Sequence, residues 1–248
     1  MLEHDGSIPG FESMLEYVPG SDISVVVLQN NDSNGDGTVP VTMARKLAAV
    51  ALGEPYPAAT PIAVDASALK KFEGVYRISK GDARVLRVVN GKLTAQRTGG
   101  QRSVLLPIAA DEFLYSNGLD RFTVQRNAAG AVAGMRFFAN GEPPGTLVAR
   151  TQEPLPTERQ EVPLLRAALD RVVGTYAAGD MKMKVFMDGN QLKAQMGGQP
   201  PVDIFAESPD LFFMTVDDAT LAFAADKGNP SAVTLSQGNH TMAFRRLP

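Results

Sequence analysis

The stretch LKKFEGVYRI (69–78) returns as LDRVVGTYAA (169–178), which puts Leu69, Gly74 and Tyr76 opposite Leu169, Gly174 and Tyr176, each 100 residues apart. The offset barely drifts beyond that opening. NGKLTAQ matches GNQLKAQ with Leu93 opposite Leu192, and DEFLYSNGLDRFTV matches PDLFFMTVDDATLAF. Self-similarity held over so long a span reads as two copies of one domain, residues 67–151 and 165–248.

Each copy has the period of a β-strand. In the second, Met181, Met183, Val185 and Met187 alternate with Lys182, Lys184 and Phe186; a DGN turn then leads into Leu192, Ala194 and Met196, again in alternation. Such a hairpin has one wet face. The methionines Met181, Met183, Met187 and Met196 are read as core filler, since a flexible thioether fits irregular space. The first copy runs through RVLRVV, the Asn90-Gly91 turn and KLTAQR, then RFTVQR, GMRFFA and a second Asn-Gly at 140–141; both pairs suit turns that require positive φ. About eight short strands in some 80 residues fit a small closed antiparallel barrel, because closure removes edges a sheet of this size cannot hide, with an open sandwich as the alternative. Tyr76 and Tyr176 are expected to pack their rings inside, with hydroxyls at the barrel rim.

Ahead of the repeat, ESMLEYV and ISVVVLQN are separated by PGSD and read as an antiparallel hairpin. The following VPVTMARKLAAVALG places Met43, Leu47, Val50 and Ala51 at helical spacing, with Pro40 in the first turn and Gly53 at the stop. The expected architecture is therefore mainly β. Residues 1–53 form a hairpin and helix, a proline-rich linker covers 54–66, the first barrel spans 67–151, a second linker spans 152–164, and the second barrel spans 165–248. The stretch 54–66 has three prolines in 13 residues, so its chain is stiff and extended.

Composition narrows the function classes. A net charge of −3, from 24 basic and 27 acidic residues, provides no broad positive field and argues against nucleic acid as a partner. No run reaches the roughly 20 apolar residues of a membrane span, and MLEHDGSIPGF has neither the basic region nor the apolar core of a signal peptide. With no cysteine and only His4 and His240, thiolate chemistry and Cys- or His-rich metal centres are excluded, and no cofactor is expected. His240, in QGNHTMAF, reads as a turn residue without a role.

The opening HDGSIPGF, followed by a hairpin ending VVVLQN and then a helix, resembles the closing part of serine β-lactamase-like hydrolases, the family of class C β-lactamases, D-amino-acid peptidases and esterases. The tandem repeat, with its L-x-x-x-x-G-x-Y openings, resembles the lipocalin-like domains appended to some members. In that family a K-T-G or H-x-G triplet lies on the strand edging the active site. The resemblance therefore implies that His4, Asp5 and Gly6 are the triplet and that the backbone N–H of Ser7 is an oxyanion donor, fixed where charge develops on an attacked carbonyl. The family's S-x-x-K and Y-x-N precede that triplet by well over 100 residues; here three residues precede His4. The chain is thus expected to be a non-catalytic C-terminal portion whose barrels shape substrate access or assembly. Its implied partner is the missing N-terminal catalytic part or a second copy, and the family's habit implies a periplasmic or extracytoplasmic location. An apolar face cut from a larger sheet must also self-associate or dock on the first barrel.

Two other readings are open. One or both barrels could hold a small apolar ligand, since an eight-stranded interior is either filled by side chains or takes one small molecule. Alternatively, Ser67-Ala68-Leu69-Lys70 matches S-x-x-K and Tyr115-Ser116-Asn117 matches Y-x-N; a rearranged esterase would use Ser67 as nucleophile, Lys70 as base and Tyr115 as proton shuttle. Against this, Ser67 and Lys70 correspond to Ala167 and Asp170 in the second copy, and Tyr115 aligns near Phe213. Finally, Asp32, Asn34, Asp36 and Gly37 match the start of an EF-hand loop, but the twelfth position is Met43 where a bidentate glutamate belongs. A polar turn is the reading there.

Overall fold

The computed structural model describes residues 1–8, 10–31, 40–56, 58–224 and 227–248. It contains a three-stranded sheet with one helix, then two closed eight-stranded antiparallel barrels. Contacts divide the chain into two compact units: Met1–Glu73 with Arg87–Thr94 and Ser103–Arg150, and Gly74–Leu86 with Ala95–Arg102 and Thr151–Pro248.

Strands β1 (Leu2–Ile8), β2 (Phe11–Val18) and β3 (Ile23–Gln29) form the first sheet in sequence order. The hairpin expected from sequence is β2–β3; β1 adds a third strand through the H-x-G segment, with His4 opposite Leu15 and Gly6 opposite Ser13. Asp22, at φ 52°, closes the β2–β3 turn. Helix α1 (Pro40–Ala51) begins at its proline, whose missing N–H is an orphan in any first turn. It ends where Gly53, at φ 77°, lets Glu54 N–H reach Ala49 O.

The face that α1 buries differs from the one its hydrophobicity selects. Pro40, Ala44 and Ala48 are buried and Ala44 packs with Met14 and Val27 of the sheet, while Met43, Leu47 and Val50 are exposed. Alanine every fourth residue lets a helix axis come close to a flat sheet, and this small stripe won over the larger one.

The first barrel follows α2 (Ala66–Leu69), which runs on as a 3-10 turn over Lys70–Phe72. Its strands are β4 (Gly74–Ser79), β5 (Asp82–Val89), β6 (Lys92–Arg97), β7 (Arg102–Ala109), β8 (Glu112–Tyr115), β9 (Arg121–Arg126), β10 (Val132–Phe138) and β11 (Thr146–Arg150), closed in sequence order. The second follows α3 (Arg166–Val172) with β12 (Gly174–Ala178), β13 (Met181–Asp188), β14 (Gln191–Met196), β15 (Val202–Ala206), β16 (Leu211–Met214), β17 (Ala219–Phe223), β18 (Ala232–Gln237) and β19 (His240–Arg246), closed the same way. Asn90 and Gly91 adopt φ of 50° and 77°, as a two-residue hairpin demands. Asn140-Gly141 has positive φ as well but lies in a longer connection between β10 and β11, where Asn140 N–H donates to the Asp120 carboxylate at 2.8 Å.

Large side chains fill both interiors. Phe72, Phe113 and Phe122 form a chain of rings with centroids 4.9 and 5.0 Å apart in the first barrel. In the second, Tyr176, Met183, Phe212, Leu221, Val233 and Phe244 are fully buried, and Met187 and Met196 pack beside them. Met181, at the start of β13, is exposed instead, since it lies beyond the interior layer.

The Gly-x-Tyr signature has a mechanical purpose that involves the last strand of each copy. Tyr176 donates its hydroxyl to Val172 O at the end of α3 (2.8 Å) and accepts from Arg246 Nη1 (3.0 Å). The Arg246 guanidinium also donates to Arg171 O and Val173 O and lies over the Tyr176 ring. Gly174 is glycine because a Cβ there would stand 2.9 Å from that guanidinium. In the first copy Arg150 donates to Lys71 O and Glu73 O, the residues 100 positions before Arg171 and Val173. The same final-strand arginine therefore ties the closing helix onto each barrel mouth. The linkers repeat too: Ile62 N–H donates to Pro107 O on β7, and Val162 N–H to Ala206 O on β15.

Candidate functional site

The H-x-G triplet lies on the uncovered face of the sheet. The alternation of β1, β2 and β3 puts Glu3, Met14, Glu16, Val25 and Val27 on the side of α1, and Leu2, His4, Gly6, Ile8, Phe11, Leu15, Val26 and Leu28 on the other. Gly6 faces Ser13 so closely that a Cβ would come within 2.8 Å of Ser13 Oγ. The Ser7 backbone lies in β1 opposite Glu12. Around the triplet the surface is apolar and exposed: Leu28 is 79%, Val26 58% and Phe11 55% accessible, with Leu2, Ile8 and Leu15 beside them. Among the described residues β1 and β3 are edges with no further strand.

The S-x-x-K and Y-x-N residues sit elsewhere in the fold. Ser67 and Lys70 are exposed on the helical segment before the first barrel. Tyr115 is on β8 with its ring edge-on to Phe137 at 5.9 Å, and its hydroxyl oxygen is shielded from solvent. His240 opens β19, paired with Gln237 and exposed. The EF-hand-like positions Asp32, Asn34, Asp36 and Gly37 lie outside the described residues. Among the described residues no group of three or more His, Cys, Asp or Glu is placed to hold a metal ion, and no helix is long and apolar enough to cross a membrane.

A buried cluster of charged groups lies on the opposite face of the sheet, between α1 and the segment around Glu142. Glu16 is 1% accessible, and its Oε2 has no hydrogen-bond partner. Arg45, almost wholly buried, donates from Nη2 to both oxygens of Glu3 at 3.1 and 2.9 Å, and its Nη1 stands 3.7 Å from Glu142; its Nε is unpartnered. Burial pushes the Glu16 carboxyl up from its ordinary range, and the opposing pull of Arg45 does not cancel it. Burial likewise raises the Tyr56 phenol, helped by Glu142. These groups border a cavity of about 320 Å³ whose walls include Val18, Ala48, Leu52 and Pro143.

This cluster escaped the reading of the sequence, although one signal was present. The alternation of ESMLEYV puts Glu12 and Glu16 on the same face as the core residue Met14, so one acid had to share the covered side. Arg45, whose charge acts on it, comes from a helix 29 positions on, which no local pattern connects to it.

No family model matches the chain, and no curated protein matches it. Among solved structures, two crystal structures of SurE, one of them with D-Leu, align at 17% identity with a TM-score of 0.31. The alignments cover 60% of this chain and 35% and 34% of those chains, so the chain spans about a third of their length. At that TM-score the likeness assigns neither fold nor activity.

Proposed function

We propose that this chain is a non-catalytic, C-terminal portion of a serine β-lactamase-like hydrolase, in which β1–β3 and α1 complete the catalytic domain and the barrels shape access to it or its assembly. The observation that carries the reading is the sheet's asymmetry. One face is covered by α1, while the face bearing His4 and Gly6 presents six large apolar side chains to solvent and, among the described residues, both edges are open. Monomeric proteins rarely leave such a surface bare, and sheets of this kind blunt their edges when they have no neighbour. Covering six such side chains is a driving term on the order of 10 kcal/mol before the cost of association is subtracted. The natural occupant is the remainder of the same sheet and the segment carrying the nucleophile.

Filled barrel interiors favour an architectural role over ligand storage. A hydroxyl shielded within the first barrel at Tyr115, with Ser67 exposed on a helix, gives little support to a rearranged esterase. The test is hydrolysis of p-nitrophenyl butyrate and nitrocefin by the purified chain, with Ser67→Ala beside it, together with sedimentation of the chain alone. No turnover and concentration-dependent self-association are expected. Turnover that disappears in Ser67→Ala, or a monomer at all concentrations that does not bind a hydrophobic dye, would overturn the proposal.

A further inference from the structure

We propose that two copies of this chain join β3 to β3 about a twofold axis, giving one continuous sheet whose two α1 helices pack along Met43, Leu47 and Val50. The proposal deepens the reading above and rests on it, since it names what takes the open side of the sheet when the chain stands alone.

The two outer edges of the sheet are unpaired among the described residues, but they differ in chemistry. β1 carries Glu3, His4 and Asp5, charges of the kind that blunt an edge. β3, ISVVVLQ, has no charge, proline or glycine, and such an edge invites another strand. The helix above it matches. α1 lies over β2 and β3, and its residues advance by about 100° each around the axis. From Ala44, which faces the sheet, Arg45, Ala49 and Leu52 turn to one flank; there Arg45 reaches Glu3 on β1, and all three line the cavity beside Glu142. Met43, Leu47 and Val50 turn to the opposite flank, away from β1 and the β10–β11 connection and toward the edge of β3. The bare strand and the bare helical stripe therefore form one surface.

An occupant must bring a strand for the edge and, on the same face, an apolar helix flank for the stripe. A second copy brings both by symmetry. Opposed residues of an antiparallel pair lie on one face of the sheet, so both α1 helices stand on the same side. With strands about 4.8 Å apart, a helix centred over β2 and β3 lies about 5 Å from the twofold axis, which sets the two helices about 10 Å apart, the ordinary spacing of packed helices. Neither the strand nor the stripe carries a charge, so no like charges are brought together along them. On the other face Val26 and Leu28 pack across the seam. Met43, Leu47, Val50, Val26 and Leu28 are between 38% and 79% accessible. With the strand edge they remove on the order of 600 Å² per copy, about 1,200 Å² in all, the lower end of specific interfaces.

The chain has no cysteine, so a single introduced one reports a single position. Leu47→Cys, treated with bismaleimidoethane, should give a covalent dimer; Leu2→Cys, on β1 at the far rim of the joined sheet, should not. In sedimentation Leu47→Glu, an exposed position whose substitution leaves the circular dichroism unchanged, should raise the monomer–dimer dissociation constant by about tenfold or more. Cross-linking of Leu2→Cys instead of Leu47→Cys would assign the contact to the β1 edge or the open face and overturn the β3 pairing, with the fragment reading intact. So would a dissociation constant unchanged in Leu47→Glu. A monomer at every concentration overturns the pairing too, and only if that monomer also fails to bind a hydrophobic dye does the fragment reading fall with it.

Discussion

Replacing Tyr176 with Phe removes a single oxygen at the mouth of the second barrel and tests whether the Gly-x-Tyr signature is a mechanical clamp. The ring is 0% accessible, so its packing is unchanged; what is lost is the bond to Val172 O at 2.8 Å and the bond from Arg246 Nη1 at 3.0 Å. A net loss of about 1 kcal/mol is ordinary for a neutral hydrogen bond and about 1.5–3 for one to a charged group; here a carbonyl is also left buried without its donor. Arg246 keeps its bonds to Arg171 O and Val173 O, which limits the damage. We expect Tyr176→Phe to lower the opening free energy of the second barrel by about 2–3 kcal/mol, read by hydrogen exchange of slow amides in β13, β17 and β18. Tyr17→Phe, which breaks an exposed bond to Asp22, is the control and should cost less than about 0.5 kcal/mol. A pH dependence accompanies the effect. Burial raises the Tyr176 phenol above its ordinary value, although Arg246 pulls the other way. With the folded pKa above the unfolded one, the stability it contributes is complete below about pH 10 and is lost as pH rises through the folded value. The wild type should therefore weaken on the alkaline side where Tyr176→Phe does not. A change under about 0.5 kcal/mol in the variant, with an unaltered alkaline limb, would refute the clamp.

Gly174→Ala places a Cβ 2.9 Å from the Arg246 guanidinium and should destabilise the same barrel by about 1–3 kcal/mol through displacement of that group, measured by the same exchange. Asp82 is held below the usual carboxylate range by its hydrogen bonds from Arg97, so its stabilisation is present above the unfolded pKa and lost as pH falls through the folded one. Asp82→Asn should accordingly flatten the acid limb of thermal midpoint against pH. Val26→Ser with Leu28→Ser replaces two of the six exposed apolar side chains of the open sheet face and should convert a self-associating chain into a monomer in sedimentation, with the melting of the barrels unchanged.

Local features made the barrels legible before any coordinates. Period-two alternation, Asn-Gly turns and the 100-residue duplication each depend on neighbours in the chain, and the eight-strand closures followed from them. The resemblance of HDGSIPGF to an active-site strand placed β1 as a strand, although the hairpin alone was read from the residues. What α1 buries was not legible: its large stripe of Met43, Leu47 and Val50 reads as the core face, and only the approach to the sheet shows that alanine is required there.

By itself, then, the sequence determined the β period and the duplication, because the first is a property of near neighbours and the second of the residue string compared with itself. The tertiary structure alone decided the partners. Arg150 and Arg246 close barrels onto helices more than 70 residues earlier in the chain. Glu16, an ordinary strand acid to the eye, became a buried carboxylate because α1 and the Glu142 segment fold over it. Burial and charge pairing depend on which distant groups exclude water together, and no spacing along a chain encodes that.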